Sequence, residues 1–461
     1  MTDLDEDVDV FGLSRFVPGA AQSELRLIDG DSIGIPDRSV IWIEFDDNAK
    51  PGRLTAATAS QLERGITAAL AQRIPVVMVV SSHGTDIEEG MVALSGWGRV
   101  ASRLTACSGV IPTIMIVDGP AVSGPALLLG VADFTIMTER SSAFVNGPVM
   151  VEQFTGVAMD ADELGGAATH ARYTGVATMV VSDREAARAA AIDILSYLPD
   201  SVDKESARWP DFDPGDRPCP EAGAQIPESS TGSYDVRKVA AAICDEDSMF
   251  EMRDRWAANV VTAFATIDGR PVGIVANQPM VLAGTLDIPA SQKAARFVAF
   301  CDAFNLAIIT LVDTPGFYPG KDLEWRGMIR HGAQLVFAYA RASVPRICVI
   351  LRKSYGGAYI VMDSKTMGND LCLAWPFSEI AVMGAGQAAA ILARRSSPEE
   401  KAAFEADYAE RLLNPYVAAE RGFIDAVVDP IDTRAEISAA LEMLADKREL
   451  LVERKHGNSP F

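Results

Sequence analysis

Cysteine and histidine are scarce in this chain, with six cysteines and four histidines among 461 residues. The cysteines lie far apart and form no C-x-x-C motif, which argues against a cysteine-bound zinc. Most of them sit in apolar runs, where a cysteine usually behaves as a small buried hydrophobe. We therefore expect reduced thiols, a cytoplasmic location and no metal cofactor.

Long apolar runs and an excess of positive charge are also lacking. No run approaches the roughly 20 residues that a membrane-spanning helix needs. The acidic start M-T-D-L-D-E-D differs from a secretory signal. The 41 basic residues against 63 acidic ones give a formal net charge of −22. This charge argues against nucleic acid and against a membrane as main partners.

The chain is long enough for two domains with full cores. Short apolar strands alternate with helical patterns over most of its length, which predicts an α/β fold. The stretch 201–233 interrupts this alternation with five prolines and many acidic and small residues, a composition that cannot build a core. We predict a lead-in at 1–32, a first domain at 33–200, a linker at 201–233 and a second domain at 234–461.

One arrangement of residues occurs twice. In the second half, a β-branched apolar run from Cys348 leads into Tyr355-Gly356-Gly357-Ala358 and then a second apolar segment. In the first half, a similar run leads into D-G-P-A-V-S-G, which ends at Gly124. Three pairs lie 232, 233 and 233 positions apart (270 − 38, 345 − 112, 357 − 124): Arg38 and Arg270, Pro112 and Pro345, Gly124 and Gly357. A repeat of this length indicates a duplicated domain.

Each copy predicts a strand, a glycine turn and a helix. Adjacent glycines let the main chain approach a ligand closely. The unpaired N–H groups and the positive dipole end of the following helix favour an oxyanion at that place. A tight turn without a ligand is the alternative, and the pattern alone does not decide between the two.

Several short motifs accompany the second turn: Y-D-V-R (Tyr234 to Arg237), V-A-N-Q-P-M-V-L-A-G-T-L-D (Val275 to Asp287), D-T-P-G-F-Y-P-G (Asp313 to Gly320), R-H-G-A (Arg330 to Ala333), R-K-S-Y-G-G-A-Y-I-V-M (Arg352 to Met362), A-W-P (Ala374 to Pro376) and E-I-A-V-M-G-A (Glu379 to Ala385). The first half adds L-G-G-A-A-T-H (Leu164 to His170). Together they resemble the carboxyltransferase, or β, subunit of biotin-dependent acyl-CoA carboxylases of the acetyl- or propionyl-CoA type.

This resemblance implies two crotonase-like ββα-spiral domains related by internal duplication, with acyl-CoA on the first and biotin on the second. It also implies a hexamer of β-type subunits, identical or mixed. The chain contains no M-K-M biotinylation motif and no G-x-x-x-x-G-K-[ST] phosphate loop. A partner α subunit would therefore supply biotin carboxylase and present carboxybiotin on its carrier domain.

The resemblance further assigns site residues. The amides of Gly357 and Ala358 would face the biotin oxygen, and those of Ser123 and Gly124 the enolate oxygen of acyl-CoA. These four are the catalytic candidates. Candidates for binding biotin are Tyr355, Gly356, Gly357, Ala358 and Gly316. Candidates for binding acyl-CoA are Ser123, Gly124, Gly84 and Ile360, the last suiting an apolar acyl chain.

The first half departs from the family pattern at two places. Ser82-His83-Gly84-Thr85-Asp86 stands where the family has S-G-G-A-R, and Val122-Ser123-Gly124-Pro125 stands where it has A-G-G-A. Pro125 has no N–H, although Ser123 keeps one. We expect His83 to be a hydrogen-bonded structural residue. Asp86 and its acidic neighbours are expected to form a solvated helix start.

Three functions are open on these residues. The first is an active carboxyltransferase subunit that moves the carboxyl group from carboxybiotin to the α carbon of an acyl-CoA. The second is a non-catalytic or specificity-setting β subunit in a mixed carboxylase. The third is a biotin-independent decarboxylase of a malonyl-type CoA ester. The identity of the acyl group is left open.

Overall fold

The computed structural model describes residues 23–29, 38–45, 53–210, 212–447, 449 and 451–460. The chain divides into two compact units, unit 1 at 1–205 and unit 2 at 206–461. Each unit contains one large, mostly parallel sheet with its own hydrophobic core. The predicted α/β class is confirmed.

Unit 1 is built from nine strands and seven helices within the described residues. Its strands are β1 (Ser23–Asp29), β2 (Ser39–Phe45), β3 (Arg53–Leu54), β4 (Val76–Ser82), β5 (Gly84–Thr85), β6 (Thr113–Val122), β7 (Phe134–Thr138), β8 (Ser142–Phe144) and β9 (Met179–Val181). Its helices are α1 (Ala56–Gln72), α2 (Met91–Cys107), α3 (Gly124–Val131), α4 (Pro148–Thr155), α5 (Ala161–Gly165), α6 (Ala167–Thr169) and α7 (Arg184–Tyr197), with a π-helical turn at His170–Thr174.

The sheet of unit 1 has the order β1-β2-β4-β6-β7-β9, and β8 pairs with the carboxyl end of β6. Among the described strands of this sheet, only the pair β1 and β2 is antiparallel. Strand β4 is buried along its whole length, as expected for a parallel strand covered on both faces. Helix α1 begins after Thr55, whose side chain accepts the Thr58 N–H, and packs its apolar stripe on the sheet.

Unit 2 contains eight strands and ten α-helices in the part of the chain that the structure describes. The strands are β10 (Phe250–Met252), β11 (Val260–Ile267), β12 (Arg270–Asn277), β13 (Ala307–Thr314), β14 (Arg346–Tyr355), β15 (Leu371–Ala374), β16 (Glu379–Ala381) and β17 (Ala426–Val427). The helices are α8 (Pro220–Ala224), α9 (Val236–Ile243), α10 (Ile288–Ala303), α11 (Lys321–Trp325), α12 (Met328–Arg341), α13 (Gly356–Val361), α14 (Ala385–Leu392), α15 (Pro398–Tyr408), α16 (Pro415–Glu420) and α17 (Thr433–Met443).

Apart from the additional edge strand β10 of unit 2, the two sheets share one topology. The sheet of unit 2 has the order β10-β11-β12-β13-β14-β15-β17, and β16 pairs with the carboxyl end of β14 as β8 does with β6. Strand β6 begins at Thr113 and β14 at Arg346, which are 233 positions apart (346 − 113). The pairing shifts register between Val80 and Ser82 in unit 1 and between Val312 and Thr314 in unit 2. Shared order and a shared irregularity support a duplication.

The expected domain boundaries differ from the observed ones at two places. Part of the expected lead-in, Ser23–Asp29, forms strand β1; the rest of 1–32 lies outside the described residues. The expected linker 201–233 is divided between the units, and its later part packs in unit 2. There Cys219 and Ala222 are buried in the core, and the Cys219 N–H donates to the Ile431 carbonyl at 2.9 Å. Contacts with a segment 212 residues further on (431 − 219) explain why local composition missed this packing.

No helix of the described segments is long and apolar enough to cross a membrane. All six cysteines are buried and unpaired. Burial raises the pKa of the Cys107 and Cys244 thiols to about 12, and nearby aspartates act in the same direction. These thiols are inert packing groups, as their apolar sequence context predicts.

Candidate active site

The turn of unit 2 joins strand β14 to helix α13. Gly356 has a φ of 61°, a conformation that residues with a side chain rarely adopt. The next two residues, Gly357 and Ala358, lie in the first turn of α13, where N–H groups have no acceptor inside the helix. Among the described residues, neither N–H donates to an acceptor outside the helix. Two adjacent donors are therefore available to a ligand at this turn.

The space in front of this turn is open. Gly357 is exposed, and a Cβ atom placed on it would meet only Phe317 Cε2, at 3.7 Å, an ordinary contact distance. Ala358 behind it is fully buried. No protein atom requires a glycine at position 357, so the missing side chain leaves room for a ligand.

Tyr355 is the last residue of β14, and its side chain is held by neighbouring elements. Its ring is buried in a small cluster with Ala388, Tyr408 and Leu413. Its hydroxyl donates to a carboxylate oxygen of Glu379. Burial, followed by the hydrogen bond to this carboxylate, raises the pKa of Tyr355. The side chain anchors the end of β14 against the helices that follow it.

A buried ion pair fixes the approach to the turn. Arg352 Nε lies 3.0 Å from Asp313 Oδ2, and the Tyr234 hydroxyl donates to the same oxygen at 2.8 Å. The other oxygen, Asp313 Oδ1, accepts the Lys353 N–H at 3.1 Å. Burial raises the pKa of Asp313, and Arg352 opposes that shift. The network holds the end of β14 against the end of β13.

The remaining candidates of unit 2 lie near the turn in sequence or on the neighbouring loop. Gly316 follows β13, and its N–H donates to Thr314 Oγ1 at 3.4 Å. No atom lies within 4 Å of a Cβ placed on it. Ile360 is on α13, two residues after Ala358, and is 37% exposed. The described part of unit 2 thus contains an open glycine turn and a neighbouring glycine loop. It also has an exposed aliphatic side chain on helix α13.

The turn of unit 1 has the same shape but different contacts. Ser123 has a φ of 64°, close to that of Gly356. Its N–H donates to the Phe144 carbonyl at 2.9 Å, so this amide is already used. That bond argues against Ser123 as an oxyanion donor, because one N–H cannot serve both acceptors well. The sequence prediction missed this hydrogen bond because the bond depends on pairing with β8, which is distant in sequence.

The L-G-G-A-A-T-H motif stabilises the strand β8, which pairs beside this turn. A Cβ on Gly165 would lie 2.2 Å from the Ala143 carbonyl oxygen, so only glycine fits there. A ring nitrogen of His170 lies 2.7 Å from the same oxygen, within hydrogen-bond distance. The motif therefore holds β8, whose last residue Phe144 accepts the Ser123 N–H. Its role is structural.

The other first-half candidates lie close to this turn. Gly84 is buried, and a Cβ placed on it would lie 3.5 Å from the Val122 carbonyl oxygen. Its N–H donates to Ser82 Oγ at 3.2 Å, as the Gly316 N–H does to its hydroxyl in unit 2. Gly124 is also buried and lies under the indole of Trp97. No feature of the sequence singles out Trp97.

The expectations for Asp86 and His83 of unit 1 are not met. Asp86 is 4% exposed rather than solvated, and its Oδ1 accepts the Glu88 N–H at 3.0 Å. The same oxygen lies 3.5 Å from Arg53 Nη1. His83 is exposed, and its imidazole has no hydrogen-bond partner among the described residues. The chain folds back over Asp86 because β5 pairs with β3.

Unit 1 also holds a buried carboxylate that sequence reasoning missed. Asp118 lies on β6 and is 1% exposed. It accepts hydrogen bonds from Thr138 at 3.1 Å, from Arg140 Nε and Nη2 at 2.7 and 2.6 Å, and from Arg184 Nε at 2.7 Å. Burial would raise its pKa, but these bonds outweigh it and hold the pKa at about 2. Asp118 ties β6 to β7 and α7.

Metal binding finds no support in these side chains. Within the described segments, no group of three or more histidine, cysteine, aspartate or glutamate residues could hold an ion.

A family model described as the carboxyl transferase domain matches residues 33–459. The propionyl-CoA carboxylase beta chain of Saccharopolyspora erythraea is 43% identical over 447 residues, which cover 93% of this chain and 82% of that protein. The methylmalonyl-CoA decarboxylase subunit alpha of Veillonella parvula is 41% identical over 431 residues, covering 93% of this chain and 84% of that protein.

A crystal structure of transcarboxylase 12S, solved as a hexamer with methylmalonyl-coenzyme A and methylmalonic acid bound, superposes with a TM-score of 0.93. It is 40% identical in sequence, and the match covers 98% of this chain and 87% of that one. The likeness confirms the predicted pair of crotonase-like domains. This chain belongs to the carboxyl transferase domain family, and it is an acyl-CoA carboxyltransferase of the biotin-dependent type.

Proposed function

We propose that this chain transfers a carboxyl group between biotin and a short acyl-CoA, with propionyl-CoA and methylmalonyl-CoA as the substrate pair. The observation that carries the proposal is the open turn of unit 2, where the N–H groups of Gly357 and Ala358 have no acceptor among the described residues. Relatives that act on propionyl-CoA and bind methylmalonyl-CoA support this choice of acyl group.

The residues at this turn fit a biotin head group. Its ureido oxygen needs hydrogen-bond donors when negative charge gathers on it, and two adjacent amides, the first of them on an exposed residue, can supply them. When bound, carboxybiotin supplies the carboxyl group and the base for the acyl-CoA proton. Gly356 and Gly357 let the head group approach the main chain. Gly316 leaves open space on the neighbouring loop.

The ion pair behind the turn has a positioning role in this proposal. Asp313 fixes the Lys353 N–H, and Arg352 ties the same carboxylate to the Gly232 carbonyl, to which its Nη1 donates at 2.7 Å. A donor pair stabilises a developing charge best when it does not have to reorient. The network therefore keeps the Gly357 and Ala358 amides in place without touching the ligand.

Acyl-CoA is assigned to the turn of unit 1. The Gly124 N–H is the donor that remains there after Ser123 is discounted. Gly84, on the neighbouring loop, completes the candidate acyl-CoA face, and the exposed Ile360 is proposed to contact the acyl chain. Biotin would come from a partner α subunit with biotin carboxylase and carrier domains. A hexamer of β-type subunits and a cytoplasmic location remain predictions.

The reverse reaction tests this function directly. The purified full chain is mixed with malonyl-CoA or methylmalonyl-CoA, with and without free biotin, and loss of the carboxyl group is followed. We expect turnover of methylmalonyl-CoA that depends on biotin. Equal turnover without biotin, or none with any ester in the panel, would contradict the proposal.

A matched pair of variants links the rate to the turn. Ala358→Pro removes one N–H, whereas Ala358→Gly keeps it, and both change the same buried position. Removing one oxyanion donor typically costs roughly 100- to 1000-fold in rate. We expect that loss for Ala358→Pro and a much smaller one for Ala358→Gly. Equal losses in the two variants would show that the N–H is not the cause.

Two other functions keep some support. A specificity-setting β subunit in a mixed complex is favoured by two features of unit 1. The Ser123 N–H already donates to the Phe144 carbonyl, and position 125 is a proline. Tight binding of acyl-CoA to this chain alone would exclude a non-catalytic role. Similarity to a methylmalonyl-CoA decarboxylase subunit favours decarboxylation as the physiological direction. A biotin-independent decarboxylase predicts carboxyl loss in the arm without biotin, which the same assay reads.

A further inference from the structure

The glycine turns of the two units can be compared position by position. Gly124 corresponds to Gly357 and Pro125 to Ala358, because 233 positions separate each pair (357 − 124, 358 − 125). Each pair follows a residue with nearly the same positive φ, at the same strand end of the same sheet topology. The correspondence is therefore structural as well as sequential.

The turn of unit 1 lacks one donor that its counterpart keeps. The Ser123 N–H is bonded to the Phe144 carbonyl, and the Ala126 N–H donates to the Ser123 carbonyl at 3.0 Å. Pro125 has no N–H at the position of Ala358. This leaves the Gly124 N–H, so the turn has one available donor where unit 2 has two.

The residue that carries this remaining donor is packed against Trp97. A Cβ atom on Gly124 would lie 2.8 to 2.9 Å from three atoms of the Trp97 indole, so the ring fills the place that a side chain would take. Gly124 is buried, whereas Gly357 is exposed. Glycine at position 124 is thus explained by Trp97, with no ligand needed.

We propose that Pro125 and Trp97 together reduce the acyl-CoA turn of this chain to a single shielded donor and so set how strongly it stabilises an acyl-CoA enolate. The inference rests on the proposed function, because it concerns the acyl-CoA side of the same reaction. The inference predicts that a substitution that returns an N–H to position 125 improves enolate binding. Few substitutions in a working oxyanion site would do so.

The test compares two CoA ligands on the full chain by calorimetry. A propyl-CoA thioether lacks the carbonyl and reports binding of CoA alone; a nitroalkyl-CoA forms a nitronate anion that mimics the enolate. For Pro125→Ala we expect the preference for the nitronate over the thioether to rise roughly 10- to 100-fold, as one hydrogen bond to a charged group gives. Pro148→Ala is the control, since Pro148 begins helix α4 of the same unit. It should leave the preference unchanged.

Trp97→Leu in the Pro125→Ala background tests the shielding. We expect a further rise in nitronate preference, with thioether binding retained as evidence that the unit is folded. An unchanged preference in Pro125→Ala, or a wild-type preference already above 100-fold, would overturn the inference while leaving the function intact. Failure of every chain to bind the thioether would overturn the proposed function together with the inference.

Discussion

The two glycine turns of this chain show how a duplicated element can keep its shape and lose its chemistry. Both follow a buried parallel strand of the same sheet topology, and both begin with a residue at φ near 60°. In unit 2 the second glycine is exposed and two amides are unpaired; in unit 1 it lies under an indole and one amide is replaced by proline. Backbone geometry alone therefore does not make an oxyanion site. The groups packed around the turn decide it.

The largest expected difference between the units concerns their buried aspartates. Asp313→Ala leaves Arg352, with a side chain only 7% exposed, as an uncompensated buried charge, which typically costs about 3–5 kcal/mol. Asp118→Ala frees Arg140 and Arg184, which are 67% and 42% exposed and can turn to water. Urea unfolding should show a clearly larger loss of stability for Asp313→Ala. Equal losses would mean that exposure of the arginines does not govern the cost.

Adding one methyl group to each turn should separate packing from ligand space. Gly124→Ala forces a contact below 3 Å with Trp97 and should cost about 1–3 kcal/mol of folding free energy. Gly357→Ala meets only Phe317 at 3.7 Å and should leave stability nearly unchanged while lowering turnover. Thermal unfolding together with the biotin-dependent assay reads both effects. A stable, fully active Gly357→Ala would remove the argument for a ligand at that turn.

The pH dependence of stability should have opposite signs at one buried aspartate of each unit. The pKa of Asp118 is lowered to about 2 by its hydrogen bonds to Arg140 and Arg184, against the effect of burial. Its stabilisation is therefore present above its ordinary pKa and lost as the pH falls toward 2, a loss of about 2 kcal/mol. Asp118→Asn should flatten the decline of unfolding free energy between about pH 5 and 2.

Asp363 of unit 2 behaves in the other direction. Burial raises its pKa to about 7, although Arg346 Nη1, at 2.7 Å, opposes the shift. A raised carboxyl pKa contributes stability at low pH that is lost as the pH rises through 7. Asp363→Asn should reduce the fall in unfolding free energy between about pH 4 and 7. If the unfolding free energy of this variant fell over that pH range as much as that of the wild type, groups other than Asp363 would be responsible for the fall.

The smallest expected effect is at the anchor of the unit 2 turn. Tyr355→Phe removes the hydroxyl that donates to Glu379 and keeps the buried ring. A single hydrogen bond of this kind contributes about 0.5–1.5 kcal/mol net, or up to about 3 to a charged acceptor. We expect lower stability in that range and little change in turnover, because only the main chain of Tyr355 faces the proposed ligand. A large loss of turnover without loss of stability would give the hydroxyl a direct role.

Sequence spacing predicted much of this architecture. The 233-residue offset located both turns, and the observed sheets share their strand order and register irregularity. The open turn at Gly357 and Ala358 follows from local glycine and helix chemistry, which a short stretch of sequence contains. These features are local or repeated, and for that reason they were predictable.

What could not be predicted depends on contacts between distant segments. The Ser123 N–H is used because β8, some 20 residues further on, pairs beside it. Trp97 covers Gly124 because α2 packs over α3, and nothing in the spacing of α2 distinguishes that tryptophan from an ordinary core residue. The later part of the expected linker is held by Arg434, whose Nε and Nη2 donate to the carbonyls of Pro214 and Asp213. Composition does not contain that information.

The central claim is that the two turns are unequal in their donors, and one rate comparison tests it most directly. Biotin-dependent loss of the carboxyl group from methylmalonyl-CoA is measured for the wild type, Pro125→Ala and Ala358→Pro under identical conditions. We expect the rate to rise, on the order of tenfold, for Pro125→Ala and to fall roughly 100- to 1000-fold for Ala358→Pro. A fall in both variants would contradict the claim, because it would mean that the proline turn of unit 1 is already a complete oxyanion site.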